Sequence, residues 1–205
     1  MSKPTSNDHP IHDLLRERWS PLAFADKPIP ADVLHTIFEA ARWSPSSSNE
    51  QPWRFIVGSK DGDPEAYAKI LDCLMPLNQL WARTAPVLMI GVGAKHFARN
   101  GMENPYALYD VGQAIANLTI EAMTHDVFVH QMGGFDRDKA REVFGIPEEY
   151  VLGAAVALGY EGDPAVLADE KYRERHTNPA RARRPLSESF LSGASSTFGE
   201  ASPLV

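Results

Sequence analysis

Two basic segments near opposite ends of the chain carry residue types that suit a phosphate group. The first is Arg18–Ser20, directly after a short amphipathic stretch, and the second is Arg181–Arg184. Arginine forms bidentate, charge-assisted hydrogen bonds with phosphate oxygens, and a serine hydroxyl adds a further donor. Taken alone, Arg181–Arg184 is explained equally well as a solvated basic patch.

Two other segments combine small side chains with turn-forming residues. Ser44–Trp53 reads S-P-S-S-S-N-E-Q-P-W, and Gln131–Phe135 reads Q-M-G-G-F. A glycine pair after a strand lets backbone N–H groups come close to a flat ligand. Each segment also has an ordinary interpretation, because serine-rich loops commonly only connect elements and a glycine pair commonly forms a tight turn.

The elements that would position these segments follow from hydrophobic periodicity. Helical spacing begins near Ile11 and recurs over 31–43, 63–74, 105–125 and 136–144, whereas short apolar runs predict strands over 54–57, 86–92, 127–131 and 150–159. Residues 161–185 are polar and predict irregular structure. About four strands and five or six helices in alternation favour a sheet between two helical layers.

Composition excludes several classes of function. The chain has 205 residues, 43% of them hydrophobic, and a net charge of −7, which argues against a general nucleic-acid-binding surface. No apolar run is long enough to span a membrane, and the N-terminus has no signal-peptide pattern. The single cysteine, Cys73, suits a reducing compartment and lies on an apolar helical stretch, which favours a buried, inert thiol. We therefore predict a cytoplasmic protein.

The sequence offers little for a metal or a dinucleotide fold. The seven histidines show no metal-binding spacing such as H-E-x-x-H, so we predict no metal site. Gly91-Val92-Gly93 follows a strand but lacks the third glycine and the acidic residue of the dinucleotide-binding fingerprint.

Taken together and in order, the polar segments resemble the nitroreductase family. The strongest match is the loop Pro45–Trp53, which follows the family pattern P-S-S-x-N-x-Q-P-W almost completely. The others are the arginine-x-serine segment at Arg18, an asparagine (Asn78) before a buried strand, a D-x-G-x-A-x-x-N-L helix over 110–118, the glycine turn, and a basic pair before Pro185. The resemblance covers roughly residues 11–190.

The resemblance implies an α+β fold, a three-layer α/β/α sandwich with a central mixed, mostly antiparallel sheet. It implies a single FMN-dependent domain over residues 9–190, between a flexible N-terminus (1–8) and a C-terminal tail (191–205). It also implies a homodimer that binds FMN at the subunit interface, takes electrons from NADH or NADPH, and reduces a small organic acceptor. The flavin would carry the chemistry, so no side chain is expected to be catalytic.

The resemblance also assigns candidate cofactor-binding residues. Arg18, Trp19, Ser20, Arg181 and Arg183 would hold the phosphate and ribityl end, and Asn78, Gly133 and Gly134 would lie against the ring. The cofactor's other side would be packed by the partner's Pro45, Ser46, Ser47 and Asn49. Trp81, Phe97 and Tyr106 are candidates to line the substrate mouth, with core or interface packing an equal alternative.

Two positions depart from the family pattern. Leu22 stands where relatives carry a cation near the flavin N1–C2 edge, and Trp81 stands where some relatives are basic. Arg42 or Arg54 could supply the missing charge. The departures motivate an alternative function, an FMN-binding storage or sensor protein with little reductase turnover. A third hypothesis is an interaction protein that retains only the scaffold.

Overall fold

Four strands form one sheet in the computed structural model, which describes residues 7–178 and 180–190. The strands are β1 (Trp53–Ser59), β2 (Val87–Ala94), β3 (Val127–Met132) and β4 (Tyr150–Tyr160), in the order β1-β2-β4-β3. The three pairings between these strands are all antiparallel. The predicted α+β class is confirmed, and within the described strands the sheet is purely antiparallel.

Seven α-helices occur in the described residues, more than the five or six expected. They are α1 (Asp13–Glu17), α2 (Ala31–Arg42), α3 (Pro64–Cys73), α4 (Pro76–Ala82), α5 (Ala107–Thr124), α6 (Arg137–Phe144) and α7 (Glu170–Thr177). The short helix α7 lies inside the segment predicted to be irregular. It has no apolar periodicity, buries only Tyr172 and His176, and begins at an Asp169 side chain that accepts from the Lys171 N–H.

The strands divide the core into two layers because successive side chains of a strand face opposite sides of the sheet. In β2, Leu88 and Ile90 pack on one face with residues of α3, α4 and α6. Val87 and Met89 pack on the other face with residues of α2 and α5. This burial on both faces explains the continuous apolar run of β2 and confirms the predicted three-layer arrangement.

Local capping sets several helix boundaries. The Asp63 carboxylate accepts from the Ala66 N–H at 2.9 Å to begin α3, and Asp136 accepts from the Lys139 N–H at 2.9 Å to begin α6. Gly145 ends α6 with φ of 59°, a conformation that glycine adopts without strain. Across the described segments, no helix combines the length and the apolar content that crossing a bilayer requires. The expected tail, 191–205, and residues 1–6 lie outside the described residues.

Candidate functional site

The two basic segments meet in one cavity of about 360 Å³, here called the arginine cavity. Its walls come from the chain after α1 and from the chain at and beyond α7. They contain Arg18, Trp19, Ser20, Leu22, Arg175, Asn178, Ala180, Arg181, Ala182 and Arg183. The structure thus brings together five of the predicted cofactor residues that are separated by more than 150 positions in sequence.

The electrostatics of the arginine cavity favour an anion. The described residues that line it include four arginines and no acidic side chain. Burial, followed by repulsion from Arg181 and Arg183, lowers the pKa of Arg18. Burial and the charge of Arg183 likewise lower the pKa of Arg181. Because these guanidinium groups destabilise one another's charge, a bound anion would relieve a repulsion that the fold maintains.

A buried histidine joins the two walls of the arginine cavity. The Nδ1 atom of His176 accepts from the backbone N–H groups of Leu22 and Ala23, each at 3.1 Å. The His176 ring also packs edge-on against Trp19, with ring centroids 4.9 Å apart. The Arg181 guanidinium adds a further link by donating to the Arg16 carbonyl at 2.8 Å. The segment after α1 is therefore fixed to α7 by contacts that the sequence pattern did not reveal.

His130 of β3 lies beside the same cavity in a neutral form. Its Nδ1 atom is 2.7 Å from the Pro21 carbonyl, and its ring stacks on Trp81 with centroids 4.3 Å apart. Burial, opposed by the Pro21 carbonyl and aided by the charges of Arg175 and Arg18, lowers the pKa of His130 to about 4. A neutral ring whose Nδ1 donates to a carbonyl keeps Nε2 as an acceptor.

The glycine turn and Asn78 form a second group. The Asn78 Nδ2 atom donates to the Gly134 carbonyl at 2.8 Å, and a side chain at Gly134 would come within 2.7 Å of that nitrogen. At Gly133, by contrast, an added Cβ would meet no described atom within 4 Å. A side chain at 134 would therefore have to displace the Asn78 amide from its hydrogen bond, whereas nothing in the described chain accounts for the glycine at 133. A ligand that approaches the backbone closely would account for it.

The serine-rich segment Pro45–Gln51, here called the serine loop, forms a third group with a strained backbone. Ser48, Asn49 and Gln51 have φ of 55°, 55° and 52°, in the left-handed region that non-glycine residues rarely adopt. Each such residue costs about 1 kcal/mol or more. Strain of this kind persists only where surrounding contacts fix the backbone, and it is concentrated at functional sites.

Helix α5 supplies those contacts. The buried Asp110 carboxylate accepts from the Ser47 N–H at 3.1 Å, and the Asn117 amide donates to the Ser44 hydroxyl at 2.8 Å. Both residues belong to the D-x-G-x-A-x-x-N-L pattern of the sequence. From the other side, the Arg54 guanidinium donates to the Gln51 carbonyl at 3.1 Å. The motif on α5 therefore acts on the serine loop, a relationship that spacing alone did not show.

Among the described residues, the second and third groups lie outside the lining of the arginine cavity. None of the described residues of the serine loop, and neither Asn78 nor the glycine turn, lines the arginine cavity. Of the candidate substrate-lining residues, Trp81 is only 2% exposed and Phe97 is buried, whereas Tyr106 is 52% exposed. For Trp81 and Phe97 the structure favours packing over contact with substrate.

The two departures from the family pattern are also core residues. Leu22 is 2% exposed and packs in the same hydrophobic cluster as Trp81, while its backbone N–H is bound by His176. The candidate replacement cations are engaged elsewhere, because Arg42 pairs with Glu39 and Arg54 holds the serine loop. Neither arginine lines the arginine cavity. The described residues contain no cluster of three or more metal-ligating side chains.

Comparison with known proteins gives consistent matches. The nitroreductase family model matches residues 15–160. An uncharacterized 15.4 kDa protein of Mycolicibacterium smegmatis is 35% identical over 145 residues, which are 68% of this chain and 95% of that protein. A protein of Archaeoglobus fulgidus named "Putative NADH dehydrogenase/NAD(P)H nitroreductase" is 27% identical over 83% of this chain and 95% of its own length.

A solved structure has the same fold over nearly the whole chain. It is described as an oxidoreductase containing FMN, is 34% identical, and covers 92% of this chain and 94% of its own, with a TM-score of 0.85. The family match spans well over half of the sequence, and it coincides with the ordered motifs placed above. The chain therefore belongs to the nitroreductase family, a family of oxidoreductase enzymes.

Proposed function

We propose that the chain binds FMN and uses it to pass electrons from NADH or NADPH to a small organic acceptor such as a nitroaromatic, a quinone, an enone or a free flavin. The observation that carries this proposal is the convergence of Arg18, Arg181 and Arg183 in one cavity whose described lining residues include no aspartate or glutamate. A relative described as an FMN-containing oxidoreductase shares the fold, which supports the same cofactor.

The residues present fit FMN at both of its ends. A phosphate in the arginine cavity would receive charge-assisted hydrogen bonds from Arg18, Arg181 and Arg183 and a hydroxyl contact from Ser20. At the ring end, the open space where a Cβ of Gly133 would lie allows a flat heterocycle to approach the backbone. Asn78 fixes the neighbouring peptide by donating to the Gly134 carbonyl.

When bound, FMN would carry a hydride between the reduced nicotinamide and the acceptor, which occupy the site in turn in a ping-pong sequence. The chain's own residues bind and orient. Arg18, Arg181 and Arg183 hold the anionic tail, and Trp19 lies in the wall between them. Backbone N–H groups of Gly133 and Gly134 are proposed to face the reactive edge, where a donor stabilises developing negative charge. No side chain is proposed as a nucleophile.

The proposed site needs a second copy of the chain. The serine loop is partly exposed, is strained, and lies apart from the arginine cavity of its own chain. A loop held in this way would be explained if Pro45, Ser46, Ser47 and Asn49 pack on the cofactor of a partner subunit. We therefore propose a cytoplasmic homodimer with two such composite sites. Size-exclusion chromatography with light scattering tests the dimer directly.

The binding experiment compares two adjacent arginines. Arg183 lines the arginine cavity, whereas Arg184 does not and instead lies near Glu188, 3.9 Å away. Arg183→Ala should weaken FMN affinity by about 2–3 kcal/mol, or roughly 30- to 150-fold, through loss of charge-assisted bonds to phosphate. Arg184→Ala is the control with the same change in net charge. Equal dissociation constants for both variants, measured by quenching of flavin fluorescence, would remove the proposed phosphate site.

Anaerobic mixing of the FMN-bound protein with NADH or NADPH distinguishes a reductase from a flavin-storage protein. Excess NADH or NADPH should bleach the long-wavelength absorbance of the bound flavin within seconds if the chain is a reductase. A bound flavin that stays oxidised for minutes with both nucleotides would instead support the storage or sensor function. A colourless protein that ignores added FMN would indicate that only the scaffold has been retained.

A further inference from the structure

Arg137, the first residue of α6, connects the glycine turn (Gly133-Gly134) to strand β4. Its Nη2 atom donates to the Gly153 carbonyl at 3.1 Å, and its Nη1 atom lies 3.5 Å from the Gly133 carbonyl. The guanidinium group also lies over the Phe135 ring, 4.6 Å from the ring centroid. Three contacts therefore hold this exposed side chain beside the turn that is proposed to face the flavin ring.

The acceptor at Gly153 is available because of an irregularity in the sheet. The register between β2 and β4 shifts between Ile90 and Val92, and Gly153 has no register partner in β2. Strand β3 pairs with β4 only from Ala155 onward, so Gly153 has no partner there either. The end of β3 thus leaves an edge of β4 to which Arg137 binds.

No described carboxylate forms an ion pair with Arg137. In the same helix, Lys139 pairs with Asp72 at 2.7 Å. Arg141 pairs with Glu148 at 3.5 Å. Arg137 also stands in the first turn of α6, where the helix dipole disfavours a positive charge. A cation in this position would be stabilised if negative charge formed next to the glycine turn.

The contact with Gly133 bears on the direction of the next N–H group. A trans peptide points its carbonyl and the following N–H in opposite directions. The Gly133 carbonyl faces Arg137 and accepts from the Phe135 N–H at 3.2 Å, so the Gly134 N–H points away from Arg137. Within the described chain this N–H has no acceptor. A cation at the carbonyl end polarises the peptide and makes its N–H a stronger donor.

We propose that Arg137 is a positioning residue that stabilises the reduced form of the bound cofactor through the Gly133-Gly134 peptide. The inference rests on the proposed function, in which this turn faces the flavin ring. The ring gains negative charge when it is reduced, so a nearby cation and a polarised N–H favour the reduced form over the oxidised one. Arg137 would supply positive charge to a site in which Leu22 stands in place of the family's cation.

The test measures the two-electron midpoint potential of FMN bound to the folded protein. Arg137→Gln should lose about 10-fold more affinity for reduced than for oxidised FMN, which lowers this potential by about 30 mV. The effect is modest because solvent screens an exposed charge. The potential is measured without oxygen, by slow reduction with xanthine and xanthine oxidase in the presence of a redox dye. Neither NADH nor NADPH is needed.

Two further variants separate the charge of Arg137 from a general change in structure. Lys139→Gln removes a cation from the same helix, but that cation pairs with Asp72, so the midpoint potential should equal that of wild type. Arg137→Lys keeps the positive charge and loses only the planar group that reaches two carbonyls. It should therefore recover most of the potential that Arg137→Gln loses.

Each outcome decides the role of Arg137. A potential of Arg137→Gln equal to that of wild type, an equal fall in Lys139→Gln, or no recovery in Arg137→Lys would overturn it. These measurements require bound FMN but no nucleotide, so they remain valid if NADH and NADPH fail to reduce the flavin and the proposed reductase activity is lost. A protein that binds no FMN would refute both proposals.

Discussion

The arginine cavity and the serine loop are held in place by different physical means. The cavity walls are largely irregular segments joined by an imidazole and by a backbone carbonyl, and their main cost is the burial of guanidinium groups, to which repulsion between those groups adds. The serine loop has no such charge cluster, and its cost is the left-handed backbone at three residues. The cavity should therefore respond most to anions and pH, whereas the loop should respond most to changes in α5.

The largest effect is expected at the contact that joins the cavity walls. His176→Phe keeps a ring beside Trp19 but removes the acceptor for the Leu22 and Ala23 N–H groups. Two buried donors without acceptors should lower the free energy of unfolding by about 2–5 kcal/mol. Urea unfolding at neutral pH measures this. His35→Phe, at an exposed position of α2, is the control. If the free energy of unfolding of His176→Phe lies within about 0.5 kcal/mol of that of the control, the contact of His176 with the Leu22 and Ala23 N–H groups is unimportant for stability.

The second prediction concerns the pH dependence of stability and tests whether His130, beside the arginine cavity, is neutral in the folded protein. His130 has a pKa of about 4 in the folded protein, below its ordinary value, so the unfolded chain binds more protons between these two values. The contribution of His130 to the free energy of unfolding is therefore complete above about pH 6.5. It is lost as the pH falls towards 4, by at most about 3 kcal/mol.

His130→Phe should flatten the decline because phenylalanine can still stack on Trp81 but does not titrate. Unfolding free energies measured at pH 7 and at pH 4.5 for both proteins make the comparison. A bound phosphate should also reduce the decline in wild type, because it offsets the charges of Arg18 and Arg175 that disfavour a protonated ring. An identical pH dependence in wild type and His130→Phe would contradict the assignment.

The third prediction tests the serine loop. Asp110→Ala removes the acceptor for the Ser47 N–H and should cost about 1–3 kcal/mol of stability. It should also weaken FMN binding in the dimer, because the loop is proposed to pack on the partner's cofactor. Asp138→Ala removes an exposed acidic residue from the first turn of α6 and serves as the control. If the Asp110→Ala protein is destabilised but its FMN affinity is unchanged, the serine loop does not pack on the cofactor.

The smallest effect is expected from relieving strain. Glycine tolerates the left-handed backbone, so Gln51→Gly should stabilise the chain by about 0.5–1 kcal/mol while keeping the hydrogen bond from the residue-51 N–H to Ser46 Oγ. Asp126, with φ of 58°, lies outside the loop and provides a comparison. Both glycine variants should raise the melting temperature, but only Gln51→Gly should alter FMN binding. Destabilisation at both positions would refute the strain argument.

Sequence reasoning located the regular elements well where their apolar pattern was strong. The predicted helix over 105–125 is observed at Ala107–Thr124, and the predicted strand over 86–92 at Val87–Ala94. It missed α7, because that helix is polar throughout and depends on the Asp169 cap and on tertiary contacts of Tyr172 and His176. Periodicity cannot detect a helix that buries two residues.

The candidate site shows the same contrast between features that the sequence reveals and features that depend on tertiary contacts. Residue type drew attention to the two basic segments, and the family resemblance selected Arg18, Arg181 and Arg183, which the structure gathers in one cavity. The acceptor role of His176 could not be inferred, because it depends on which backbone groups lie nearby in space. At Leu22, where the family pattern has a cation, the side chain is 2% exposed and packs in the core while it also lines the arginine cavity, and the sequence could show neither contact.

The hydrogen bonds from α5 to the serine loop have a consequence for engineering. Asp110 bonds the loop, and Asn117 bonds Ser44 directly before it, from the same helix that fills the core with Val111, Ile115 and Leu118. A loop grafted from a relative to change the substrate range would therefore lack the hydrogen bonds from α5 that hold its backbone. Combinatorial libraries that vary the loop together with positions 110 and 117 should yield a larger fraction of active clones than libraries confined to the loop.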